Sequence, residues 1–208
     1  MTVPYDKAVK RPSEEFEYDD DTIQELLQCS EDVFYFSKYV KIITLDKGRQ
    51  LIQFYPFQEK MLQMFLDNRF TICLCARQLG KSTLVGLYAL WYASFNADKF
   101  IGIASNKEKS AIKILDRIKV MYKELPSWLK PGVLSFNKKS IEFENGSVIS
   151  VSATTPDAMR GESLNLLICH HKDMVVKLRC KKTKEIIYMT LEELYNDLSN
   201  EDKNVEKK

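Results

Sequence analysis

Between residues 22 and 125 the spacing of apolar positions changes rhythm several times, and each change predicts an element. Ile23, Leu26 and Leu27 recur at helical spacing, followed by an aromatic-rich core stretch over 33–40. Phe54-Tyr-Pro-Phe-Gln58 leads into a second helix over 59–67. Residues 70–76, FTICLCA, are an unbroken apolar run of β-formers, the pattern of a strand buried on both faces in a parallel sheet. A loop over 77–82, an apolar helix to Phe95, a second buried strand at 100–104 and a helix over 107–125 follow, with Pro126 and Pro131 closing the last. Strand, loop, helix, strand, helix is the alternation of a parallel α/β sheet.

After Pro131 the period shortens to two. Residues 140–144 and 147–151 alternate apolar and polar around Asn145-Gly146, the strongest short hairpin signal, so a hairpin inserted in the α/β unit is expected. A polar loop over 154–162 returns the chain to an apolar strand at 164–168. Beyond Cys169 two short β-prone stretches, 174–179 and 185–189, flank a turn at 181–184. Thr190-Leu-Glu-Glu193 is a capping box opening a short helix to Leu198. The expected organisation is an acidic flexible arm over 1–21, an α/β unit over 22–168, and a short β-rich unit with one helix over 169–208.

Composition narrows the picture modestly. A chain of 208 residues holds one domain, or one domain and a fragment. A formal net charge of +2 excludes a general polycation, so any contact with DNA has to come from a local patch. The five cysteines are odd in number, scattered and without a CxxC pair, which points away from a disulfide framework or a zinc site and towards a reducing compartment. No apolar run approaches the roughly 20 residues of a membrane span, and residues 1–11 lack a signal-peptide core. A cytosolic protein without a membrane partner is expected.

The candidate chemistry sits between the first expected strand and the helix after it. A phosphate loop works because backbone N–H groups at a tight turn and a helix N-terminus converge on phosphate oxygens, while a lysine supplies charge and a hydroxyl holds Mg2+. Gly80-Lys81-Ser82 supplies those parts, with Gln78 and Thr83 beside them, although Cys75 stands where such loops carry their first glycine. Arg77 can offset charge on a γ-phosphate. Gln58, beside Tyr55 and Phe57, can read an adenine edge, or it can be an ordinary surface amide before a helix.

Three stretches carry a resemblance. Cys75-Ala-Arg-Gln-Leu-Gly-Lys-Ser-Thr83 resembles the deviant Walker A motif of phage large terminases. Tyr55-Pro-Phe-Gln58 resembles that family's adenine motif, and residues 155–163 resemble its Ser-Pro-Asp-Ala-x-Arg-Gly loop. The resemblance implies an incomplete P-loop NTPase sheet of RecA-like (ASCE) type, with ATP and Mg2+ as cofactors. It implies nucleotide contacts from Tyr55, Gln58, Arg77, Gln78, Gly80, Lys81, Ser82 and Thr83, catalytic roles for Arg77 and Lys81, and the metal on Ser82. Implied partners are double-stranded DNA, the portal and the small terminase subunit, in the host cytoplasm and transiently at the procapsid portal. The family's nuclease domain has no counterpart in these residues.

Such an ATPase needs two carboxylates after the strand at 164–168, one for the Mg2+ shell and one to polarise water. The sequence reads Cys169-His-His-Lys-Asp173 instead. Cys-x-x-x-Asp-x-x-Val resembles the first block of inteins, and residues 169–208 resemble the N-terminal fragment of a split (Hint-type) intein. That resemblance makes Cys169 the nucleophile on the Ile168 carbonyl, and makes the partner a complementary chain carrying the intein C-fragment and the rest of the terminase. Adjacent His170 and His171 point to opposite sides of a strand and are poor co-ligands. Two alternatives are a free-standing, helicase-like P-loop translocase and a degenerate, non-catalytic nucleotide-binding module.

Overall fold

The computed structural model describes residues 7–44, 46–73, 75, 78–105, 107–153, 163–169, 175–179, 186–190 and 193. Its elements run α1 (Asp20–Glu31), α2 (Val33–Ser37), β1 (Lys41–Thr44), β2 (Gly48–Leu51), α3 (Pro56–Asp67), α4 (Lys81–Phe95), β3 (Phe100–Ser105) and α5 (Glu108–Glu124). A 3-10 turn at Ser127–Leu129 leads to β4 (Val133–Phe136), β5 (Ser140–Phe143), β6 (Val148–Ala153), β7 (Leu166–Cys169), β8 (Val175–Arg179) and β9 (Ile186–Thr190). Side-chain caps start the first two helices: the Asp19 carboxylate accepts from Thr22 N–H at 2.8 Å, and that of Asp32 from Phe34 N–H at 2.7 Å.

Five strands form one mixed sheet in the order β4-β5-β6-β3-β7. β3 is parallel to both neighbours, pairing Ile103 with Val151 of β6 and with Ile168 of β7, while β4, β5 and β6 form an antiparallel meander. Every β3 residue after Phe100 is buried, as a strand flanked on both sides and covered on its faces should be. α5 covers β3 and β6 with Ile114, Leu115, Ile118 and Met121, and α4 adds Leu84, Leu87 and Leu90. Each such fully buried side chain contributes about 1.5–3 kcal/mol by leaving water. The two helices meet closely at Gly86, where a β-carbon would lie 3.2 Å from Ile118 Cγ1.

The expected elements at 81–95, 100–104 and 107–125 correspond to α4, β3 and α5. The expected hairpin also forms, with Ile141 opposite Ile149. It is not a separate insertion, however: β6 continues into the parallel core beside β3, and β5 carries β4 as a further edge strand. The β1–β2 ribbon and β4 were not expected. Their outward residues break the apolar alternation, as the exposure of Lys41, Ile43, Arg49 and Leu51 shows.

The clearest departure is at 70–76. No strand forms among its described residues, and Phe70 is 83% exposed. An apolar run states that a segment can be buried, whereas a strand also needs a neighbour for its N–H and C=O groups. Among the described residues β7 pairs only with β3, and no strand is paired with residues 70–75.

Residues 7–19, from the segment whose acidity predicts an arm, lie against the end of the sheet. Val133 N–H donates to Lys10 C=O at 3.1 Å, Ser13 N–H to Glu144 at 2.9 Å, and the Tyr18 hydroxyl to Trp128 C=O at 3.0 Å. Beyond β7, β8 and β9 pair antiparallel as a two-stranded sheet, with no ladder to the five-stranded one among the described residues. Thr190 and Glu193 make the expected reciprocal cap: Thr190 N–H donates to the Glu193 carboxylate at 2.7 Å, and Glu193 N–H donates to Thr190 Oγ1 at 3.1 Å.

Candidate functional site

The N-terminus of α4 is where the backbone is most unusual. Gly80 is its N-cap with φ +74°, and Gln78 two residues earlier has φ +65°. A left-handed glutamine costs of order 1 kcal/mol, so the surroundings must hold it there. The N-terminus of α4 carries the positive end of its helix dipole, which favours an anion there. Thr83 and Leu84 N–H both donate to Gly80 C=O, at 2.9 and 3.0 Å, so the helix begins at once. Lys81 and Ser82 occupy its first turn.

Three contacts brace this loop. Lys81 Nζ donates to Cys75 C=O at 3.0 Å, closing the loop across its base. Gln58 Nε2 donates to Leu79 C=O at 3.0 Å, while Gln58 Oε1 accepts from Tyr55 N–H at 3.0 Å. Cys75 Sγ lies 4.0 Å from Met61 Sδ of α3, setting the start of the loop against that helix. Tyr55 and Phe57 stack on one another, with centroids 5.8 Å apart and planes 8° from parallel, and present an exposed aromatic pair on the same turn as Gln58.

The far end of α4 is anchored by the hairpin. Asn145 Nδ2 donates to Ala93 C=O at 2.9 Å and to Ser94 C=O at 3.3 Å, taking up carbonyls that a helix C-terminus leaves unpaired. Buried Trp91 donates its indole N–H to Cys29 C=O at 2.8 Å, tying α4 to α1. The helix carrying Lys81 and Ser82 is therefore fixed at both ends and in its middle.

The geometry brings together Tyr55, Gln58, Gln78, Gly80, Lys81, Ser82 and Thr83. Arg77, the loop at 154–162, His170 and His171 lie outside the described residues. A shallow cavity of about 290 Å³, lined by Ile42, Asp116, Val120 and others, meets the first turn of α4 at Thr83. Among the described residues no cluster of three or more His, Cys, Asp or Glu could hold a metal.

Cys169 ends β7, paired with Ala104, rather than following the strand as its sequence position suggests. Burial alone pushes its thiol up to about 11 from an ordinary 9.0. Contacts absent from the sequence reading are the Leu79 and Cys75 carbonyls and Asn145, which the pattern identified only as a turn residue. Main-chain acceptors leave no compositional trace, so no sequence signal pointed to the first two.

Residues 72–170 match the family model described as "Terminase large subunit, T4likevirus-type, N-terminal". The match runs from just ahead of the phosphate loop to just past β7, a little under half of the chain. It supports a terminase large subunit, whose family is that of the ATP-driven packaging motors.

Proposed function

We propose that this chain supplies the opening part of a phage DNA-packaging ATPase, binding ATP with Mg2+ at residues 78–83. One observation carries the reading: a lysine and a serine on the first turn of α4, behind left-handed Gln78 and Gly80, inside the segment similar to terminases. In this reading the Lys81 ammonium leaves the Cys75 carbonyl for the phosphates, Ser82 holds Mg2+, and Arg77 faces the γ-phosphate. The base stacks on Tyr55 with Gln58 alongside. Double-stranded DNA, the portal and the small terminase subunit are the partners, met in the host cytoplasm at the procapsid portal.

The carboxylates that hydrolysis requires do not follow β7, where Cys169 and His170 stand. We propose that residues 169–208 are a split-intein N-fragment and that trans-splicing adds the acids from a second polypeptide. Two observations favour this. The family match stops at residue 170, and the next two strands form a sheet of their own. Cys169 Sγ attacks the Ile168 carbonyl carbon, the C–N bond to Cys169 breaks, and the thiol proton passes to the released amine, leaving a thioester.

Co-expression with a chain carrying the complementary intein half followed by the remaining ATPase tests both parts. The expected product lacks residues 169–208 and hydrolyses ATP. An unchanged yield of that product from Cys169→Ala contradicts the splicing reading. A joined product with no ATPase activity contradicts the motor reading.

A further inference from the structure

We infer that Gln58 is a positioning residue of the phosphate loop, whose side-chain amide ties the first turn of α3 to Leu79 and holds the Leu79–Gly80 turn in place before any ligand arrives. This rests on residues 78–83 being a polyphosphate site and goes beyond it by assigning Gln58 a task that needs no base. Its Oε1 accepts from Tyr55 N–H and its Nε2 donates to Leu79 C=O, both at 3.0 Å. Only one orientation of the amide satisfies both contacts, because the flipped one sets N–H against N–H and oxygen against oxygen. The plane of the amide is therefore fixed by main chain on both sides.

Gly80 shows the same approach from the loop side. A β-carbon there would fall 2.5 Å from Gln58 Nε2, so the missing side chain at Gly80 is the space the amide occupies. With φ +74°, Gly80 thus serves two needs at once, the left-handed turn and the close passage of Gln58. Tyr55, whose N–H the amide holds, also belongs to the exposed aromatic pair, so the turn that would meet a base and the turn that would meet phosphates share one side chain.

The test separates bracing from base reading. Hydrogen exchange of the ligand-free full chain is followed in peptides covering residues 78–84 for wild type, Gln58→Met, which loses both contacts at similar volume, and Gln58→Glu, which keeps only the acceptor. Faster exchange in both variants, with the rest of α4 unchanged, is expected. Unchanged exchange overturns the inference. Binding of ATP and of inorganic tripolyphosphate to wild type and Gln58→Met is the second arm. A brace weakens both ligands by the same factor, roughly three- to tenfold for lost neutral hydrogen bonds. A loss confined to ATP assigns Gln58 to the base and overturns the inference. Failure of wild type to bind either ligand would refute the polyphosphate site itself, while the exchange arm still decides whether Gln58 braces the loop.

Discussion

Two apolar stretches of similar composition meet different fates in this molecule. Residues 100–105 become β3, buried from Ile101 to Ser105, while residues 70–75 form no strand among their described positions. β3 has a parallel neighbour on each side, and two helices lie over it. The other stretch has no paired neighbour among the described residues, yet it delivers the chain into the turn for which we propose phosphate binding. Stability and chemistry are thus concentrated in different parts of the fold. The sheet half is held by burial, and the loop half by a few polar contacts from Gln58, Lys81 and the ends of α4.

The contrast breaks most sharply under truncation. Leu87→Ala, at a fully buried position on α4, is expected to cost about 2–5 kcal/mol in urea unfolding, whereas Phe70→Ala should change stability by under about 0.5 kcal/mol. Similar losses from the two would contradict the exposure of Phe70. At the sheet edge, Cys169 should react with iodoacetamide at pH 8 about a hundredfold more slowly than a thiol at its ordinary pKa, since two pKa units separate the thiolate populations. Its rate should rise until the pH nears 11; peptide-resolved mass spectrometry that finds it fully reactive at pH 8 contradicts its burial.

Smaller effects come from the polar ties. Asn145→Ala removes the anchor on the α4 C-terminus and should cost roughly 1–2 kcal/mol in thermal unfolding. The smallest is on α1. Glu25 accepts from the Tyr35 hydroxyl at 2.9 Å and from the Tyr39 hydroxyl, and these bonds hold its carboxyl below the ordinary 4.5. Because the folded pKa is the lower one, the stabilisation is complete above 4.5 and is lost as pH falls through the depressed value. Glu25→Gln should therefore lower stability slightly at neutral pH, converge with wild type at low pH, and so flatten the acid limb of the stability–pH curve.

Much of this was legible in the chain. The apolar run after the loop, the apolar strand at 100–104, the prolines after residue 125 and the Asn145-Gly146 turn located α4, β3, α5 and the hairpin, because each signal is local and each element has its partner nearby. Gly80-Lys81-Ser82 stood out because phosphate binding calls for those residue types together, and the structure puts them at the start of α4. The state of residues 70–75 was not, since pairing depends on a neighbour and not on the run itself. Nor was the work of Gln58: a glutamine before a helix looks the same in sequence whether it faces water or a carbonyl 21 residues away.

Equilibrium titration of the full chain with MgATP, alongside Lys81→Ala with its unfolding curve as a control for folding, tests the nucleotide site most directly. Saturable binding at one site, lost in a Lys81→Ala variant that unfolds like wild type, is the predicted result. No binding by wild type, or the same affinity in both proteins, would contradict it.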